Sequence, residues 1–110
     1  MVEDRGGVIA NVMHALVSAM VGKAIARSMD DVDWKMVLHA LEFGRAGVPS
    51  RWRNPESRNT YAVTLVRSYD ASDGLCLEYT VEAIIGGKGD RAHNTACRLP
   101  DGSWSVTDDR

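Results

Sequence analysis

The spacing of apolar side chains changes once along this chain, from helical to alternating, close to Asn59. Before that point apolar residues recur every three or four positions, the interval that lines one face of a helix. After it they recur at every second position, the interval of a strand with one buried face. A single switch of this kind demands helices that dock on one face of a sheet. At 110 residues the chain is long enough for one hydrophobic core, and helices and sheet are expected to share it.

The first helix is expected from about Val8 to Ser28, with Ile9, Met13, Leu16, Met20 and Ala24 stacked on one side. On another line of the same helix Gly7, Asn11, Ala15, Ser18, Gly22 and Ala26 present small side chains. A stripe of small residues lets a second backbone approach closely, so Ala15, Ser18, Gly22 and Ala26 are candidates for helix self-association and a homo-oligomer is expected. Asn11, His14 and Lys23 interrupt the roughly eighteen apolar residues a membrane span needs; packing on a neighbouring helix is the alternative use of the stripe. Asp30 or Asp31 then caps a second helix, expected to run to about Arg45 with Trp34, Val37, Leu38 and Leu41 inward and Gly44 or Gly47 with Pro49 ending it.

Residues 50–59 are polar and turn-rich except for Trp52, which is expected to cap the core between helix and sheet. Tyr61, Val63, Leu65 and Tyr69 then alternate with Ala62, Thr64 and Ser68, and a turn over Asp70 to Gly74 leads into Leu75, Leu77, Tyr79, Val81, Ala83 and Ile85. Gly86 to Asp90 supply a second turn before a strand near Arg91 to Leu99, and Pro100-Asp101-Gly102 a third before Ser103 to Thr107. The expected fold class is therefore α+β: an N-terminal helical hairpin packed on a four-stranded antiparallel β-meander.

Thirteen Lys and Arg stand against fifteen Asp and Glu, a net charge of -2, and along the sequence they are dispersed rather than collected into a basic run. No nucleic-acid partner is expected. The start, Met1-Val2-Glu3-Asp4-Arg5, is followed by an apolar stretch without a small-residue cleavage site, so no signal peptide is read within these residues.

Cys76 and Cys97 both fall on expected strands without C-x-x-C spacing. If the turn between their strands closes with Ile85 opposite Arg91, Cys97 lies opposite Tyr79 and the two sulfurs are on opposite faces. A one-residue slip brings them to one face but leaves them further apart than the disulfide Cα separation of about 4.4 to 6.8 Å. One bridge and two separate thiols both remain open at this stage. Neither cysteine has a histidine beside it to depress its pKa, so a structural part is expected in either case.

No metal or cofactor is expected. His93 and Cys97 are four residues apart on a strand, roughly 13 Å, while His14 and His39 lie on different helices. Asp70, Asp73, Glu78 and Glu82 are the acids that could serve acid–base chemistry, but Glu78 and Glu82 flanking Thr80 fit a solvated strand face equally well. Gly86-Gly87-Lys88-Gly89 lacks the length and the following helix of a phosphate loop. Of Trp34, Trp52 and Trp104, Trp52 is the one expected to be exposed if any is, and Arg51 and Arg53 beside it would form a cationic rim for a carboxylate, a lipid headgroup or an acidic protein patch.

Trp52-Arg53-Asn54-Pro55 with Asn59, Tyr69, Cys76 with Glu78-Tyr79, the Gly86-Gly87 turn, and Ala96-Cys97-Arg98 leading into Pro100-Asp101-Gly102 and Trp104 occur in an order and spacing that resembles the seventeen-kilodalton outer-membrane surface antigen family, first known from rickettsiae. The resemblance implies a glycine-zipper segment and a lipidated cysteine ahead of the domain, and a place at the outer membrane of a Gram-negative cell. Here no cysteine precedes Cys76, the zipper is reduced to the mixed small-residue stripe, and Leu77 stands where the family usually has Arg. The expected organisation is an apolar, degenerate glycine-zipper-like helix over 1–29 and a surface-antigen-like α+β domain over 30–110. The expected role is that of a non-enzymatic structural or surface-antigen-like protein of the cell envelope, in the periplasm or outer membrane, with the cytoplasm as the other address because no leader is read. Envelope proteins or lipids are the expected partners. A ligand- or protein-binding module using the sheet face and the Trp52 loop is the alternative role.

Overall fold

The computed structural model describes residues 21–71 and 74–108. In it a short helix α1, Lys23–Arg27, is followed by helix α2, Asp31–Phe43, and by five strands: β1 Ser50–Arg53, β2 Thr60–Ala71, β3 Gly74–Ile85, β4 Lys88–Arg98 and β5 Trp104–Asp108. The strands form one antiparallel sheet in chain order, β1-β2-β3-β4-β5.

This corrects the expected architecture in two places. The sheet has five strands, because Ser50 to Arg53 pair with Val63 to Thr60 and form an edge strand ahead of the periodicity switch. The helical hairpin is not found among the described residues. At Gly22 the backbone leaves the helical region (φ 88°, ψ 153°), and α1 is only five residues long. The remainder of the expected first helix, including Ala15 and Ser18, lies outside the described residues.

Helix α2 begins where its sequence directs. Asp30 is the N-cap, its side chain accepting from the N–H groups of Val32 and Asp33, while the Asp33 side chain accepts from the Asp30 N–H. This reciprocal box satisfies donors that a helix start otherwise leaves open. The helix buries Val37, Ala40 and Leu41 against the sheet. It ends at Phe43, two residues before the expected limit, and leaves that ring exposed beside His39. Arg98, whose guanidinium lies over the Trp104 ring, forms an ion pair with Glu42 and ties the helix to the far side of the sheet.

One sheet face packs on the helices. Tyr61, Val63 and Leu65 of β2, Leu77, Tyr79, Val81 and Ala83 of β3 and Ala96 of β4 are buried there with Val21, Ile25, Ala26 and Met29. Ala26, expected at a helix–helix interface, is thus inside this chain's own core at 1% exposure. The register shifts between Leu65 and Arg67, a bulge at Val66, so Tyr69 pairs with Cys76 on the opposite face from Tyr61, not in phase with it as expected.

Between β3 and β4 the turn is shorter than expected. Gly86 and Gly87 alone make it, with φ of 56° and 83°, and Ile85 pairs with Lys88. Two consecutive residues at positive φ give the two-residue hairpin turn whose twist matches that of the flanking strands. Closing three residues earlier on the β4 side moves the whole ladder. Cys76 now pairs with Cys97, with Cα atoms 4.0 Å apart and the sulfurs bonded. The expected pairing of Cys97 with Tyr79 is therefore corrected.

Candidate functional site

Two places collect the residues of interest: a polar hub between α2 and β1, and the sheet face that neither of the described helices covers.

The hub is built on Asp33. Its side chain is fully buried and accepts hydrogen bonds from Trp52 Nε1 (2.8 Å), Asn54 Nδ2 (2.9 Å) and the Asp30 N–H (3.1 Å). Asn54, itself 1% exposed, also shapes the loop after β1. Its Oδ1 accepts from the N–H groups of Glu56 and Ser57, and its backbone exchanges bonds with Arg58 and Asn59. The Asn54 amide, together with the Asp33 and Val32 N–H groups, holds the Asp30 carboxyl below its ordinary value. Asn59 continues the network, accepting from the Gly86 N–H and donating to the Tyr61 hydroxyl, which donates to the Ser28 carbonyl. The Trp52 ring stacks on Tyr61 at 5.5 Å between centroids. Trp52 thus takes the expected position between helix and sheet, and it is held there by Asp33, a residue not singled out from the sequence. The available signal was the spacing Asp30-x-x-Asp33, that of a capping box.

Arg51, Trp52 and Arg53 all line one hollow, with the two arginines approaching it from the other face of the sheet. Alternation on β1 turns Arg51 and Arg53 to the face opposite the indole. There, pairing lines up Arg51, Ala62, Glu82 and Arg91 in one row and Arg53, Thr60, Ile84 and Gly89 in the next. Small residues in both rows leave a hollow of about 580 Å³ lined by Arg51, Arg53, Ala62, Glu82, Ile84 and Gly89, and Trp52, Tyr61 and Asp90 line it as well. Further along, Arg67 Nε donates to Glu78 at 2.8 Å, His93 Nε2 lies 2.7 Å from the other Glu78 oxygen, and Arg67 covers the Tyr69 ring at 4.5 Å. Four arginines and two glutamates therefore share this face on a chain whose net charge is -2. Charges dispersed along the sequence are gathered by the fold.

The hydrogen bond from Arg67, and after it the contact with His93, holds the Glu78 carboxyl below its ordinary value. A depressed carboxyl stabilises the fold while ionised, and that contribution disappears as pH falls through its folded-state value. Arg67→Ala is expected to move the Glu78 midpoint upward toward the ordinary glutamate range, read by carboxyl-carbon NMR titration. An unmoved midpoint would show that the Arg67 bond does not persist in solution.

The other candidates are placed apart from one another. Asp70 is exposed at the end of β2, distant in register from Glu82, and Asp73 lies outside the described residues. Among the described residues no group of three or more His, Cys, Asp or Glu is placed to hold a metal ion, and no helix is long and apolar enough to cross a membrane.

An antiparallel meander with a helix seated on one face, a buried carboxylate joining helix to edge strand, and a cross-strand disulfide define a small clamped domain that is mostly five-stranded antiparallel sheet with a small helical part. Residues 39–105 match the sequence profile of the family described as 17 kDa outer membrane surface antigen. Over 87 residues the chain is 40% identical to the 17 kDa surface antigen of Rickettsia bellii, an alignment covering 74% of this chain and 55% of that protein. It is 41% identical over 83 residues to that of Rickettsia conorii, covering 71% and 52%. With that of Rickettsia prowazekii it shares 46% identity over 68 residues, covering 61% and 43%. The chain spans about half the length of the relatives it matches. No solved structure matches it. The chain belongs to the 17 kDa outer membrane surface antigen family.

In this chain the motif residues Trp52, Asn54 and Asn59 are the hydrogen-bonding residues of the hub and its continuing network. Their chemistry is used to fix helix, edge strand and hairpin turn relative to one another.

Proposed function

We propose that this domain is a non-enzymatic structural module of the cell envelope, displayed in the periplasm or at the outer membrane like the surface antigens it is related to. The Cys76–Cys97 pairing is the observation that carries the reading: the two residues face each other in the ladder and form a bond that persists in oxidising compartments and is rare in the cytosol. The polar side chains with the most directional contacts support it as well. Asp33 is bound by Trp52 and Asn54, and Glu78 by Arg67 and His93, which leaves these carboxylates holding elements together.

The test is fractionation of Gram-negative cells making the full-length protein, with its thiols trapped by a maleimide–polyethylene glycol reagent at lysis. The expected result is recovery in the envelope fraction, with Cys76 and Cys97 labelled only after reduction. Recovery in the cytosol with both thiols labelled would refute the assignment.

A further inference from the structure

The hollow on the sheet face left open by the described helices has features that a merely solvated face does not require. Arg51 and Arg53 stand two residues apart on one strand and on one face, so their guanidinium groups form one wall. Among the described residues neither is in an ion pair, nor are Glu82 and Arg91. The floor between them is apolar, with Ala62 8% exposed and Ile84 54% exposed, and Gly89 with the carboxylate-bearing Asp90 lines the far side. The volume of about 580 Å³ lies in the range that holds a small ligand or a few residues of chain.

Guanidinium groups at alternate positions of a strand match carboxylates at alternate positions of an extended partner, each pair able to form two parallel hydrogen bonds. Glu82 decides between anionic partners. Its free carboxylate repels a dense polyanion such as a phosphate-rich lipid surface or a nucleic acid, yet it accepts from the amides or the amino group of a peptide. We propose that this hollow binds a short acidic peptide segment in extended form, with Arg51 and Arg53 taking its carboxylates, Glu82 accepting from its nitrogen groups and Ile84 packing under its backbone.

The probe is fluorescein-labelled Gly-Glu-Gly-Glu-Gly, followed by anisotropy on the oxidised protein at low and at moderate salt. Saturable binding that weakens with salt is expected. The R51E/R53E double variant should bind at least about tenfold more weakly, since charge-assisted bonds are lost on both carboxylates. Gly89→Phe is the second variant. A Cβ at Gly89 meets no atom within 4 Å, so the ring fills the hollow from a position that tolerates a side chain, and it should abolish binding with the urea midpoint unchanged. Absence of saturation up to about 1 mM peptide, equal binding by R51E/R53E, or tighter binding of phosphatidylglycerol vesicles or a ten-nucleotide oligothymidine than of the peptide would each overturn the proposal.

Discussion

Asp33→Ala is expected to lower the unfolding free energy by about 3 to 5 kcal/mol. The substitution removes a carboxylate with no exposed surface and strands the three donors that now point at it: the Trp52 indole N–H, the Asn54 amide and the Asp30 backbone N–H. A buried donor left without an acceptor costs about 1 to 3 kcal/mol, and the Asn54 amide, on a residue 1% exposed, has little access to water as a substitute. Against a typical total of about 5 to 15 kcal/mol this is a large fraction. The urea midpoint should fall while the slope of the transition stays near its wild-type value.

Asp33→Asn is expected to fall between the two, because its amide keeps one acceptor oxygen and points a donor at another donor. Trp52→Phe keeps the ring stacked on Tyr61 and removes only the indole N–H. In a double-mutant cycle it should therefore couple to Asp33→Ala by about 1 kcal/mol or more. A cost below about 1 kcal/mol for Asp33→Ala would mean that the loop after β1 rearranges to let water in, and that the hub is not what seats the edge strand.

The dependence of β1 on this hub explains why it was not legible as a strand. Ser50, Arg51, Trp52 and Arg53 alternate in burial, but only one of them is apolar and the segment is flanked by Pro49 and Pro55, the composition of a loop. Its extended form comes from pairing with β2 and from the Trp52 bond to Asp33, both of which are tertiary. By contrast, α2 was readable because its capping residues and its inward stripe of Val37 and Leu41 are local. The β3–β4 turn was overestimated because Lys88, Gly89 and Asp90 have turn-forming character while only Gly86 and Gly87 have the positive φ that makes the turn. Register propagates, so that error alone displaced both cysteines.

The sheet face left open by the described helices illustrates the same limit for the candidate site. Arg51 and Arg53 were identifiable as a pair, but their neighbours Glu82 and Arg91 come from strands about thirty and forty residues later, and only the register brings the four together. The bulge at Val66 is a further step that no alternation pattern announces. It puts Arg67 and Tyr69 on the face with Glu78 instead of in the core phase begun at Tyr61.

Replacing both cysteines, Cys76→Ala with Cys97→Ala, is expected to destabilise the domain by about 3 kcal/mol. The bond spans a sequence separation of 21, and closing a loop of that length in the unfolded chain removes entropy worth about 3 kcal/mol at room temperature in the chain-entropy account. The loss should not be uniform. Gly86 and Gly87 hold the near end of the β3–β4 ladder, while Cys76 and Cys97 stand at its far end, where β5 also pairs through Ser105. Amides of residues 74–79 and 94–98 should therefore gain hydrogen-exchange rate more than those flanking the turn. Reduced wild-type protein should reproduce both the lower urea midpoint and this local pattern, because reduction frees the unfolded chain without altering the side chains around the sulfurs. Equal midpoints for oxidised and reduced protein would show that the bridge adds nothing to a ladder already fixed by its turn and its core. A loss spread evenly over the sheet would show that the clamp acts on the whole meander and not on its open end.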